Sequence, residues 1–172
     1  MRTTLFWIEG PWTRRLAIAP RPRGGDWLED EVHAWQQAGL DRVVSLLTPA
    51  EVTELDLDKE EAWCQAYVMQ FYAFPITDMG VPVSRKASVA LIRQLDNALT
   101  EGKSIVVHCR QGIGRSGLLA ACLLIVSGET PETAFQRVSA ARGCSVPETM
   151  EQREWVHALA SELLVSVPKN RL

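Results

Sequence analysis

The fold class this chain predicts is α/β: one domain with a mostly parallel central sheet flanked by helices on both faces. Three observations carry that reading. Short apolar runs with strand character alternate with longer amphipathic stretches. Two of the runs, Val43–Leu47 and Ile105–His108, are close to continuously apolar, the mark of strands buried on both faces. Beyond Arg115 only helical patterns remain, so helices gather at the end of the chain. The pattern gives about five strands, within a domain covering residues 1–165, followed by a C-terminal tail at 166–172.

Taken in order, Leu5–Ile8 and Leu16–Ala19 are strand-like runs around a Gly10-Pro11 turn. Pro20–Gly25 reads as a loop. Asp26 is placed to N-cap a helix running to about Ala38, which Gly39 ends. Val43–Leu47 is the next strand. Thr48-Pro49-Ala50-Glu51 is a capping box with proline at the first helical position, and helical pattern continues, broken near Asp56–Asp58, to about Met69. Phe71–Phe74 is a strand and Pro75–Val83 a loop. Ser84 caps a helix to about Thr100, ended by Gly102; Ile105–His108 is the last strand. Helices follow from about Arg115 to Val126, from Thr130-Pro131-Glu132 to near Gly143, and from Pro147 onward. The last carries an apolar face of Trp155, Leu159 and Leu163 continued by Val156, Ala160 and Leu164.

Composition narrows the function classes. With 47% hydrophobic residues, 23% charged and a net charge of −3, the 172 residues are neither a disordered chain nor a nucleic-acid binder held by bulk positive charge. The longest strongly apolar stretch, Leu118–Val126, is too short to span a bilayer, so membrane insertion is not expected. The first residues lack the apolar core and cleavage site of a signal peptide, which points to a cytoplasmic protein, expected as a monomer. Four cysteines, at 64, 109, 122 and 144, form no CxxC pair; neither a zinc site nor a disulfide framework is expected. Cys64 and Cys122 sit in helical patterns as small buried side chains.

Cys109 differs. It ends the Ile105–His108 strand and begins Cys109-Arg-Gln-Gly-Ile-Gly-Arg-Ser116, a tight loop that opens a helix. A helix N-terminus leaves N–H groups unpaired, and successive N–H groups on a curved loop form an anion nest. Gly112 and Gly114 allow close backbone approach. Arg115 adds a planar fork suited to phosphate oxygens, and the same positive field favours the thiolate of Cys109. Ser116 is placed to donate a hydrogen bond to that sulfur. His108 is either a donor to the loop carbonyls or a satisfied core histidine.

His108-Cys109-Arg-Gln-Gly-Ile-Gly-Arg115-Ser116-Gly117 resembles the HCxxGxxRS signature of cysteine-dependent protein tyrosine phosphatases. Phe74–Pro82 resembles the acid loop of their dual-specificity branch. Gly114–Leu124, Thr130–Ala134 and Arg142-Gly143 are similar to the cyclin-dependent-kinase-associated phosphatase group, and the likeness covers roughly residues 40–160. The resemblance implies a dual-specificity-phosphatase-like fold and a phosphocysteine on Cys109, with the loop residues Arg110, Gln111, Gly112, Ile113, Gly114 and Arg115 binding phosphate. It also implies Asp78 as general acid and then base, and no metal or cofactor. Asp78 alone would otherwise read as a turn residue capping its own backbone. The expected substrate is a phosphorylated protein.

One departure stands out. Where relatives with an accessory glutamine loop carry glutamine near the start of the last helix, this chain has Glu148 first and Gln152 later. Neither is assigned a catalytic role, and Gln152 is at most a supporting residue. Glu148 beside a phosphate is electrostatically awkward unless it faces away, and reads as a solvated acid at a helix start. Arg21, Arg23, Arg85, Lys86 and Arg110 are either a basic rim for an acidic substrate or scattered surface charges, and six tryptophans read as packing anchors. Alternatives left open are a phosphoinositide or small-molecule phosphatase, a catalytically weak phosphate-binding module, and arsenate reduction or sulfur transfer.

Overall fold

A computed structural model describes residues 4–165. The expected tail at 166–172 lies outside the described residues. Five strands, β1 (Phe6–Trp7), β2 (Leu16–Ala19), β3 (Arg42–Ser45), β4 (Gln70–Ala73) and β5 (Ile105–His108), form one sheet in the order β1-β2-β5-β3-β4. Only β1 runs antiparallel. The parallel strands need crossovers, and helices supply them. These are α1 (Leu28–Gln37) after β2, α2 (Pro49–Glu54) and α3 (Glu60–Ala66) after β3, and α4 (Arg85–Thr100) after β4. Three more helices close the chain: α5 (Gly114–Val126), α6 (Pro131–Arg142) and α7 (Met150–Val165).

Alternation along the strands sorts side chains into two cores. Leu16, Ile18, Val44, Ile105 and Val107 face the larger one, built with α4 to α7. Ala17, Ala19, Val43 and Val106 face the smaller one, where Leu28, Val32 and Trp35 of α1 meet Cys64 of α3. Every residue of α5 is buried, which explains why that segment is apolar on all sides. Gly117 lets it pack closely, since a β-carbon there would lie 1.9 Å from Val146 Cγ1.

Some local expectations shift. Asp26 caps nothing: it lies inside a 3-10 turn, Gly25–Trp27, that feeds α1 without a side-chain cap. The last helix starts at Met150, not Pro147, because an irregular turn comes first. Leu164 is exposed rather than on the apolar face of α7, and Trp27 is 57% exposed rather than an anchor. The Thr48–Glu51 capping box and the Ser84 cap form as expected, and Thr130, at the expected helix start, caps α6.

Register is what creates a site. Ser45 pairs with both His108 and Ala73, and Ala19 pairs with His108. The four parallel strands therefore end level, and the segments after them emerge along one edge of the sheet, where open α/β sheets bind ligands.

Candidate active site

Cys109 leaves the carboxyl end of the central strand and is only 2% exposed. Its Sγ receives the Gly112 N–H at 3.3 Å and lies 3.3 Å from Ser116 Oγ. The carbonyls of the following loop are held from outside. Arg21 N donates to Arg110 O, Arg142 Nε to Gly112 O at 3.1 Å, Arg142 Nη2 to Gln111 O at 3.2 Å, and Gly117 N to Ile113 O. With its carbonyls engaged there, the loop keeps its N–H groups for the pocket. Gly112 has φ of +70°, and a β-carbon would come within 2.4 Å of the Ala19 carbonyl carbon, so no other residue fits without moving β2.

Arg115 is 1% exposed, and its guanidinium is already held before any ligand arrives. Nη1 donates to Glu51 Oε2 at 2.7 Å and Ile76 O at 2.9 Å; Nη2 donates to Glu51 Oε1 at 2.9 Å and Asp78 Oδ1 at 3.0 Å. Glu51 thus grips the Nη1–Nη2 edge of the fork in a two-point pair. Burial acts to lower the pKa of Arg115; its hydrogen bonds to Glu51 and the charges of Cys109, Glu51 and Asp78 outweigh that, and the net shift is upward. Burial acts to raise Glu51, but hydrogen bonds from Arg115 and the Thr48 backbone N–H prevail and lower it to about 2. The capping box made Glu51 legible as a helix-start residue. Its second use, as the anchor of Arg115 at a sequence separation of 64, had no sequence signal.

Asp78 stands on the loop after β4, half exposed at 58%, with Oδ1 on Arg115 and also accepting its neighbour Met79 N–H. Gln152, fully buried at the start of α7, donates from Nε2 to Gly80 O at 3.1 Å and accepts from Thr149 N, so it pins this acid loop. A pocket of about 70 Å³ joins these parts, lined by Asp78, Met79, Cys109, Arg110, Gln111, Gly114, Arg115 and Glu148. Glu148 does not face away: its Oε2 lies 2.6 Å from where a Gly114 β-carbon would sit.

Two expectations need correction. His108 neither donates to the loop carbonyls nor is fully satisfied: Nε2 meets the buried Glu60 at 2.8 Å, while Nδ1 has no partner. The basic rim does not assemble. Arg110 lines the pocket but its guanidinium pairs with Glu51 and Glu54, Arg23 pairs with the buried Glu31, and Arg85 pairs with Glu162. Arg142 and Glu60 were missed, since neither type nor spacing distinguishes them from ordinary helix residues. Among the described residues no helix is long and apolar enough to cross a membrane.

A strand-to-helix anion loop between a cysteine and an arginine, with an aspartate loop beside it, defines the class of cysteine-based phosphatase domains. The chain belongs to the family described as PTP-SAK, Swiss Army Knife protein, DSP-PTPase phosphatase domain, which matches residues 12–164. It is 30% identical over 164 residues to a putative tyrosine phosphatase of Invertebrate iridescent virus 6, covering 92% of this chain and 57% of that protein. It is 24% identical over 138 residues to cyclin-dependent kinase inhibitor 3 of Rattus norvegicus, covering 79% and 65%. The chain thus spans less than two thirds of the length of these curated relatives. A crystal structure of kinase associated phosphatase, with its catalytic site cysteine replaced by serine, superposes with TM-score 0.86 at 19% identity, covering 97% of this chain and 99% of that one. Tk-PTP in the active form superposes with TM-score 0.72 at 26% identity, covering 95% and 97%.

Proposed function

We propose that this domain hydrolyses phosphotyrosine, and phosphoserine or phosphothreonine, monoesters in proteins through a phosphocysteine on Cys109. The observation that carries the reading is the Cys109 sulfur on the pocket wall, 3.3 Å from both the Gly112 N–H and Ser116 Oγ. A sulfur at the start of a helix, with the Gly112 N–H and the Ser116 hydroxyl on it and the pocket before it, is placed as a nucleophile.

In the first step the Cys109 thiolate attacks phosphorus, a P–S bond forms and the P–O bond to the leaving group breaks. Asp78, released from Arg115 as the phosphate takes up the Nη2 edge, enters this step as the carboxylic acid, gives its proton to the leaving oxygen and is left as the carboxylate. The loop N–H groups and Arg115 hold the remaining oxygens, and because Glu51 orients the fork beforehand little reorganisation is needed. In the second step water attacks phosphorus and gives its proton to the Asp78 carboxylate. The P–S bond breaks, and Ser116 donates to the departing sulfur. The names of the relatives, a tyrosine phosphatase and a kinase associated phosphatase, support a protein substrate.

Cys109→Ser tests this. Hydrolysis of an aryl phosphate and of phosphopeptides should vanish while phosphate or vanadate still binds by calorimetry. Turnover persisting in Cys109→Ser would refute the mechanism.

A further inference from the structure

We infer that Glu148 is a selectivity residue, one that favours phosphoesters flanked by positive charge and disfavours polyanionic ones. The inference rests on the phosphatase reading and deepens it by naming the substrate class.

The pocket is meant for a dianion, yet its charges do not sum toward one. Each cation on its wall is already matched by two carboxylates: Arg115 by Glu51 and Asp78, Arg110 by Glu51 and Glu54. Glu148 lines the same pocket and, among the described residues, has neither a hydrogen-bond nor an ion-pair partner. It is exposed, and the backbone sets where its side chain starts. The turn before α7 delivers it beside Gly114, and only the missing side chain of Gly114 leaves room for its carboxylate. The Gln152 amide, also 3.1 Å from that missing β-carbon, bonds Gly80 of the acid loop. Glu148 therefore sits on the side of the pocket from which Asp78 approaches, where the leaving group lies.

A phosphoryl group entering this space brings negative charge toward an unpaired carboxylate. Loop N–H groups and Arg115 offset the phosphate itself. Nothing on the wall offsets Glu148, so a cation carried by the substrate near its ester oxygen gains a partner there. An arginine or lysine flanking a phosphotyrosine meets that description. A second phosphate or an acidic flank meets repulsion instead, which sets this site against phosphoinositides and similar polyanions. Unit charges about 8 Å apart near a protein surface, screened over about one Debye length at physiological ionic strength, alter rates roughly three- to tenfold.

The test compares kcat/KM for two phosphotyrosine peptides, identical except for arginine or glutamate on either side of the phosphotyrosine. Wild type, Glu148→Gln and Glu148→Lys are assayed, with Cys109→Ser as blank and an aryl phosphate as the flank-free substrate. Wild type should prefer the arginine-flanked peptide by roughly three- to tenfold, and less so at high salt. Glu148→Gln should shrink that ratio toward one, and Glu148→Lys should invert it. A ratio unchanged by Glu148→Gln, or a wild-type preference for glutamate flanks, overturns the inference while aryl phosphate hydrolysis leaves the phosphatase reading standing. Failure of wild type to hydrolyse any of the three substrates overturns both.

Discussion

Replacing Glu51 by glutamine removes one charge from the site and sets an NH2 group where Oε1 accepts from Arg115 Nη2 and Arg110 Nε. The amide keeps an oxygen for the Thr48 N–H, so the capping box survives. What is lost is the anion facing both Nη atoms of Arg115. The carboxyl is lowered from 4.5 to about 2 in the folded protein, which corresponds to about 3 kcal/mol of stability near neutral pH. That agrees with the range of about 3–5 kcal/mol for stripping one partner from a buried pair. For a domain of this size the melting temperature should fall by about 6–12 °C. The pH dependence supplies the stricter check. A depressed pKa contributes stability that is complete above the unfolded value and is lost as pH falls toward the folded one. At about pH 3 the unfolded chain has taken up the proton while the folded one has not, so the gap between wild type and Glu51→Gln should shrink to about 1 kcal/mol. Urea unfolding at both pH values measures it. A gap that stays constant with pH, or a melting shift under about 2 °C, would refute the assignment of this charge to the stability of Arg115.

Asp78→Asn should slow phosphopeptide hydrolysis by roughly a hundredfold or more and an activated aryl ester by far less, because only the poor leaving group needs the proton; equal loss on both, in steady-state assays, places the acid elsewhere. Arg142→Met should leave the Gln111 and Gly112 carbonyls without their donor. It should cost about 1–3 kcal/mol in chemical denaturation and weaken phosphate binding in calorimetry. Gly112→Ala should destabilise by about 2 kcal/mol or more, from its positive φ and its contact with β2, and should abolish anion binding; a soluble variant with wild-type phosphate affinity contradicts the account of the loop.

Much of the site is local and was legible for that reason. Cys109, Gly112, Gly114, Arg115 and Ser116 lie within one strand–loop–helix unit, and the chemistry of such a unit follows from residue type and spacing. Caps at Thr48, Ser84 and Thr130 are likewise short-range, and each formed. Asp26 failed as a cap because it lies inside the 3-10 turn, whose first residue is tied by its N–H to Asp56 O, distant in the chain. The start of α7 failed because the turn before it is set by contacts with α5 and α6, including Val146 against Gly117 and the Ser139 hydroxyl on Val146 N.

The sequence by itself determined the α/β class, the strand that carries the anion loop and the identity of the thiol, since each depends on periodicity or on neighbours a few residues apart. Tertiary structure alone decided which distant charges meet the loop. Level ends of four parallel strands bring Glu51 and Asp78 onto Arg115, place Arg142 behind the loop carbonyls and pair Arg110 with Glu51 and Glu54. The same arrangement leaves Glu148 exposed but turns it toward the pocket rather than away from it. Side-chain type encodes what a group can do, but only sheet register and helix packing bring groups this far apart in the chain within hydrogen-bonding reach.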